Sequence, residues 1–188
     1  MLVLQSNGRD NLNIIDKSED IESLAMLEKD NGDVYFVPAF SGLFSPHWDE
    51  TARGSLFGLT RFSNKSHMAR AVLESVAFQT YELLESMEKD LDTDFESLKV
   101  DGGMVANNLL MQFQSDILDK SIHSQEINEI TALGVGVASY LYVMDLPLTS
   151  MGNYITSSKT WNPNMSNDTR ISSLESWYKA IEKAKNWL

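Results

Sequence analysis

The residues best placed to do chemistry lie at 98–118, "LKVDGGMVANNLLMQFQSDIL", where a short apolar run ends in Asp101-Gly102-Gly103 and passes straight into an amphipathic segment. Adjacent glycines cost backbone entropy inside regular structure, so this pair implies a turn that needs positive φ or a main chain without Cβ atoms. Such a turn lets a ligand approach the backbone. The unpaired N–H groups at the start of the helix behind it suit an anion or the polar edge of a nucleotide. Asn107, on the first turn of that helix, carries both a donor and an acceptor able to hydrogen-bond a ribose or base. Asp101 can accept backbone N–H groups at the helix start or serve as a general base, and the first use is the commoner. The same spacing also fits a plain strand-to-helix turn with Asn107 solvated, and two glycines alone leave both readings open.

The remaining reactive side chains form no comparable group. His47, His67 and His123 stand far apart, with no second imidazole at ligand spacing, which argues against a protein-built metal site. His67 falls at a helix start, where capping or packing is the commoner role. Arg70 and Glu74 share a helix face at i, i+4 and read as a surface ion pair. Trp161, Trp177 and Trp187 read as packing residues rather than a base-stacking platform. The sequence has no cysteine, which excludes disulfides and thiolate metal sites and fits a reducing, cytoplasmic setting.

The elements that must position these residues follow from periodicity. The acidic stretch 16–33 reads as a short surface helix with Ile21, Leu24 and Ala25 on one face, closed by Asn31-Gly32. "VYFVPAF" and "SLFGLTRF" are strand candidates, separated by the loop "SGLFSPHWDETARG", whose Phe44 and Trp48 are expected to pack. Residues 66–90 make a long helix starting near Ser66, with Met68, Val72, Val76, Leu83 and Met87 at helical spacing. Leu98 to Val100 is a brief strand, and Leu109, Leu110, Phe113 and Ile117 form one face of the helix after the glycine turn. "SIHSQ" is another strand candidate. "EITALGVGVASYLYVMD" permits a strand, but its length and a Thr131 cap favour a helix with Gly134 and Ala138 on a closely packed face. Residues 146–170 read as irregular. The end, 171–188, reads as a helix with Leu174, Trp177, Tyr178, Ile181 and Leu188 aligned. Strands alternate with helices in the βα manner, which gives an α/β fold with the glycine turn at a strand's carboxyl end, where open α/β sheets bind ligands.

At 188 residues the chain suits one domain, 1–188. Its net charge of −12 argues against nucleic acid and against anionic membranes, and otherwise serves solubility. "MLVLQSNGRD" has too few apolar residues for an export signal, and Ala132 to Met144 is too short to span a bilayer.

Several spaced blocks resemble the carboxyl-terminal domain of the FGGY carbohydrate kinases, most closely the members that act on glycerol. Gly54-Ser55-Leu56-Phe57-Gly58-Leu59, then His67-Met68 and Ala71-Val72-Leu73-Glu74, fits the second signature of that family. "VPAFSGL", "ARGSLFGLT", "LESVAFQT", "VDGGMVANNLLMQFQSDIL" and "EITALG" follow in the family's order, so the likeness runs from about Arg9 to Leu188. The resemblance implies an actin-like ATPase (ribonuclease H-like) fold, incomplete at its start. It implies ATP-dependent phosphorylation of glycerol to glycerol 3-phosphate, or of another polyol or sugar. Carried over, Gly103 approaches the nucleotide through its backbone and Asn107 hydrogen-bonds it, while Asp101 and Gly102 shape the turn. Mg²⁺ is expected to arrive with ATP. The family's catalytic aspartate, phosphate-binding hairpin and glycerol contacts have no counterpart here, so the segment alone is expected to be a poor catalyst. A non-catalytic interaction module is the other reading. Arg9-Asp10 matches a family run; Gln5 matches a nucleotide-contacting glutamine only with an insertion and is not carried over. A domain without that front portion should expose apolar surface, open to a complementing kinase half or to a second copy.

Overall fold

The structure is a computed structural model in which residues 15–125, 130–150 and 157–188 are described. Gln5, Arg9 and Asp10 lie outside the described residues.

The acidic stretch yields only a six-residue helix, α1 (Asp20–Ala25), which buries Ile21 and Ala25. The chain then reverses through Gly32 at φ +58, where an added Cβ would meet the His67 ring at 2.5 Å. Strands β1 (Tyr35–Val37) and β2 (Ser55–Phe57) pair antiparallel, Tyr35 opposite Phe57. Gly58 closes that pair at φ +82 with its Cβ position 1.8 Å from the Asp33 carbonyl oxygen, so no other residue fits without moving backbone.

The loop between them is ordered: Leu43 and Asp49 exchange N–H···O bonds of 2.7 and 2.9 Å. The Asp49 carboxylate accepts from the Thr51 hydroxyl at 2.6 Å and from the N–H of Asn186 at 2.9 Å. These bonds, Thr51 first, hold its carboxyl at about 2. The expected packing of Phe44 and Trp48 is not found. Both project outward, Trp48 with 76% of its surface exposed, because backbone pairs and Asp49 fix the loop without them.

The 27-residue helix α2 (Lys65–Leu91) is capped by Asn64 rather than Ser66. Asn64 Oδ1 accepts from the N–H groups of Ser66 and His67, and His67 Nδ1 accepts from the Asn64 N–H at 3.3 Å, a capping box. His67 therefore caps, as its position implied. The buried face of α2 is Ala69, Leu73, Ala77, Phe78 and Leu84, rotated from the expected stripe; Leu83 and Met87 are exposed. Small alanines let neighbours close onto the helix, so the face is set by fit rather than by the largest side chains.

Strand β3 (Ser97–Val100) leads to a 3₁₀ turn (Gly103–Ala106) and helix α3 (Asn108–Leu118). Strand β4 (Ser121–Gln125), helix α4 (Ile130–Val143), strand β5 (Ser157–Trp161) and helix α5 (Asn167–Ala184) follow. The sheet order is β3-β4-β5, with β3 parallel and β5 antiparallel to β4. Among the described strands β3 is therefore a border strand. β5 falls where irregular chain was expected, and α5 begins earlier, at the Ser166 cap.

Phe78 is the hub of the core. Trp177 stacks on it at 5.0 Å, Phe113 meets it edge-on at 5.5 Å and Tyr35 lies at 6.0 Å, joining α2, α3, α5 and β1. Trp161 and Trp177 are buried as expected, whereas Trp187 and Leu188 lie beyond the end of α5 and are exposed.

The Arg70–Glu74 pair is not on the surface. Arg70 Nε donates to Glu74 Oε1 at 2.9 Å with both side chains largely enclosed, and its guanidinium also donates to the Glu28 carbonyl at 2.9 Å. Burial raises the Glu74 carboxyl to about 7, against the pull of Arg70.

Helix α4 differs from the rest. Thr131 lies inside it, not at its cap, and added Cβ atoms at Gly134 or Gly136 would meet nothing within 4 Å. Among the described residues the expected close packing at Gly134 is not found, and Val135, Tyr142, Val143, Met144 and Leu148 are exposed.

Candidate functional site

The glycine turn hangs from the carboxyl end of β3, with Val100 paired to Ser124 of β4. Gly102 has φ +90 and ψ 174, a conformation that requires glycine, while Gly103 lies outside the left-handed region and opens the 3₁₀ turn. The expectation of positive φ thus holds for Gly102 and fails for Gly103. Neither added Cβ would meet any atom within 4 Å. Among the described residues the corner is bare and open, and at Gly103 neither backbone strain nor a described neighbour calls for glycine.

Asn107 is 8% exposed and caps α3: its Oδ1 accepts from the Leu110 N–H at 2.8 Å. Its Nδ2 has no partner among the described residues, which leaves both of its N–H donors for a ligand. The capping role assigned to Asp101 as one option is taken by Asn107. Asp101 is exposed, and no side chain caps the 3₁₀ turn.

The helix start is less available than its position suggested. Leu109 N–H donates to Glu22 Oε1 at 3.0 Å and Asn107 N–H to the Met104 carbonyl at 3.0 Å, which with the Leu110 bond leaves only the Asn108 N–H without a partner among the described residues. The expected row of unpaired N–H groups is thus largely taken up. Lys159 donates to Asn108 Oδ1 and lies 4.9 Å from the Trp161 ring centre. Glu22 and Lys159 carried no local signal, because sequence distance hides contacts between elements.

The histidines serve structure. His47 Nε2 and Glu82 Oε1 are 2.8 Å apart and tie the loop to α2; His123 Nδ1 meets Thr160 Oγ1 at 2.9 Å across β4 and β5. Among the described residues no group of three or more His, Cys, Asp or Glu is placed to hold a metal ion.

What the arrangement can do is admit a flat, mostly uncharged group against bare main chain, with the amide nitrogen of Asn107 a few residues along the same turn. Residues 3–140 match the C-terminal domain of the FGGY family of carbohydrate kinases. The chain belongs to that family. Among curated FGGY relatives, the glycerol kinase of Brucella anthropi is 49% identical over 182 residues, covering 96% of this chain and 36% of its own. That of Nocardia farcinica is 50% identical over 186 residues, covering 95% and 37%. The chain thus spans little more than a third of the length of these FGGY kinases. The crystal structure of Plasmodium falciparum glycerol kinase with ADP superposes with a TM-score of 0.86 at 32% identity, covering 94% of this chain and 35% of that one. A ligand-bound xylulose kinase from Lactobacillus acidophilus, 22% identical, covers 96% of this chain and 36% of its own with a TM-score of 0.77, a likeness of fold. The FGGY fold is the actin-like ATPase fold, which agrees with the expected class. No described helix is long and apolar enough to cross a membrane.

Proposed function

We propose that this chain is the ATP-binding part of a glycerol kinase, which transfers the γ-phosphoryl group of ATP to glycerol and yields glycerol 3-phosphate. Residues 1–188 form one domain that supplies the adenosine side of the cleft. The observation that carries this reading is Gly103, a glycine that neither backbone strain nor a neighbouring atom among the described residues requires, set in a corner open to a ligand. Adenosine lies against the main chain at Gly102-Gly103, and Asn107 Nδ2 donates to an acceptor on its ribose or base. Mg²⁺ arrives with ATP, held by the phosphates. The glycerol contacts and the base that deprotonates the attacking hydroxyl come from a front portion such as the relatives carry, so the chain becomes catalytic only when so completed. Phosphoryl transfer is mostly positioning and charge stabilisation, and one wall of a cleft cannot supply it. The setting is cytoplasmic.

Titration of the folded chain with ATP tests this. Saturable binding is expected, weakened at least tenfold by Gly103→Val, a loss of about 1.4 kcal/mol. Because Gly103 is not in the left-handed region, valine there crowds the ligand without straining the turn. Undetectable binding at millimolar ATP would remove the reading. Release of ADP dependent on glycerol, seen only when a front portion is supplied, separates the kinase from a non-catalytic interaction module.

A further inference from the structure

Glu22 and Leu109 are 87 residues apart, yet the carboxylate of Glu22 accepts the Leu109 N–H at 3.0 Å. Leu109 is the second residue of α3, the helix that carries the nucleotide corner. The N-terminal end of a helix bears roughly half a positive charge and attracts phosphate where its N–H groups are bare. Here three of the four leading N–H groups are held by the chain itself: Asn107 by the Met104 carbonyl, Leu109 by Glu22 and Leu110 by Asn107 Oδ1, while the Asn108 N–H has no partner among the described residues. One of the three acceptors is an anion. On the same turn Lys159 is bound to Asn108 Oδ1, so a cation is at hand should the carboxylate be removed.

We propose that Glu22 is a positioning residue that sets which end of the nucleotide meets the corner. It ties α1 to the first turn of α3 and fills the helix's anion-attracting end with a carboxylate, so the uncharged adenosine is accepted and the triphosphate is turned away. This rests on the adenosine reading of Gly103 and Asn107.

Adenosine and inorganic tripolyphosphate, titrated separately by calorimetry, test it on the native chain and on Glu22→Ala, Glu22→Gln and Gly103→Val, with melting temperatures measured alongside. Glu22→Ala is expected to lose adenosine affinity several-fold and to gain tripolyphosphate affinity several-fold, because the Leu109 N–H is bared beside Lys159. Glu22→Gln, whose amide oxygen still accepts from Leu109, should keep near-native adenosine affinity with a smaller gain for tripolyphosphate. Opposite movement of the two ligands cannot come from a smaller folded fraction. A parallel loss of both, or no change in either, overturns the proposal. Adenosine binding abolished by Gly103→Val but untouched by Glu22→Ala overturns the role of Glu22 and leaves the adenosine reading standing. Absence of adenosine binding to the folded native chain removes that reading, and this inference with it.

Discussion

Asn107 caps α3 with its amide oxygen, and its amide nitrogen, without a partner among the described residues, is the donor proposed for the ligand. The two uses can be separated. Asn107→Asp keeps the capping oxygen and loses the donor, so unfolding free energy should stay within about 0.5 kcal/mol while ATP affinity falls. Asn107→Ala should lose both, at about 1 kcal/mol of stability. Urea unfolding together with ATP titration checks the pair; equal ATP affinity in Asn107→Asp would remove the donor role. Glu74 allows a pH test. Its carboxyl is held at about 7 when folded against an ordinary 4.5, so the native state keeps a proton that the unfolded chain releases. The contribution is full below about pH 4.5 and is lost as pH rises through 7, at most roughly 3 kcal/mol. Urea unfolding at pH 5 and pH 8 should show the fall, and Glu74→Gln should flatten it.

At the scale of elements, what could be read from sequence was what local period encodes. Helices α2 and α3 and strands β1, β3 and β4 carry their patterns within a single window, and all stand where expected. The strand β5 did not, since "SSKTW" offers polar residues and one Trp161, and its pairing with β4 is decided by a partner more than thirty residues away. The rotated buried face of α2 has the same origin: which side is covered depends on Phe113 and Trp177 from other elements. For the candidate site, the turn from Asp101 to Asn107 was legible as local structure because its parts are neighbours in sequence. Glu22 was not, since nothing near it in sequence speaks of α3. The signature glycine Gly58 proved to be packed on the Asp33 backbone, so a family motif can mark a fold requirement rather than a ligand contact.

At the scale of the molecule, the outward apolar surface of α4 stands apart. Val135, Tyr142 and Val143 are exposed, Tyr142 by 88%, in a chain that covers 36% of the length of the Brucella anthropi kinase. Patches of this kind favour association. Replacing Val135, Tyr142 and Val143 together by lysine should leave stability within about 0.5 kcal/mol per site, because these side chains touch little in the native chain. Light scattering should show less self-association, and binding of a supplied front portion of kinase should weaken. Unchanged scattering and unchanged binding would show that this helix serves neither contact.

The glycine corner proposed to meet the nucleotide grows out of β3, which among the described strands lies at the border of its sheet. A rim strand keeps main-chain donors and acceptors available on its outer side, and a newcomer that zips onto them tilts the strand and whatever is hinged to its tip. On the proposed adenosine reading, ATP affinity is therefore a gauge of assembly: it should shift when a completing polypeptide pairs with β3, even one that never touches the adenine.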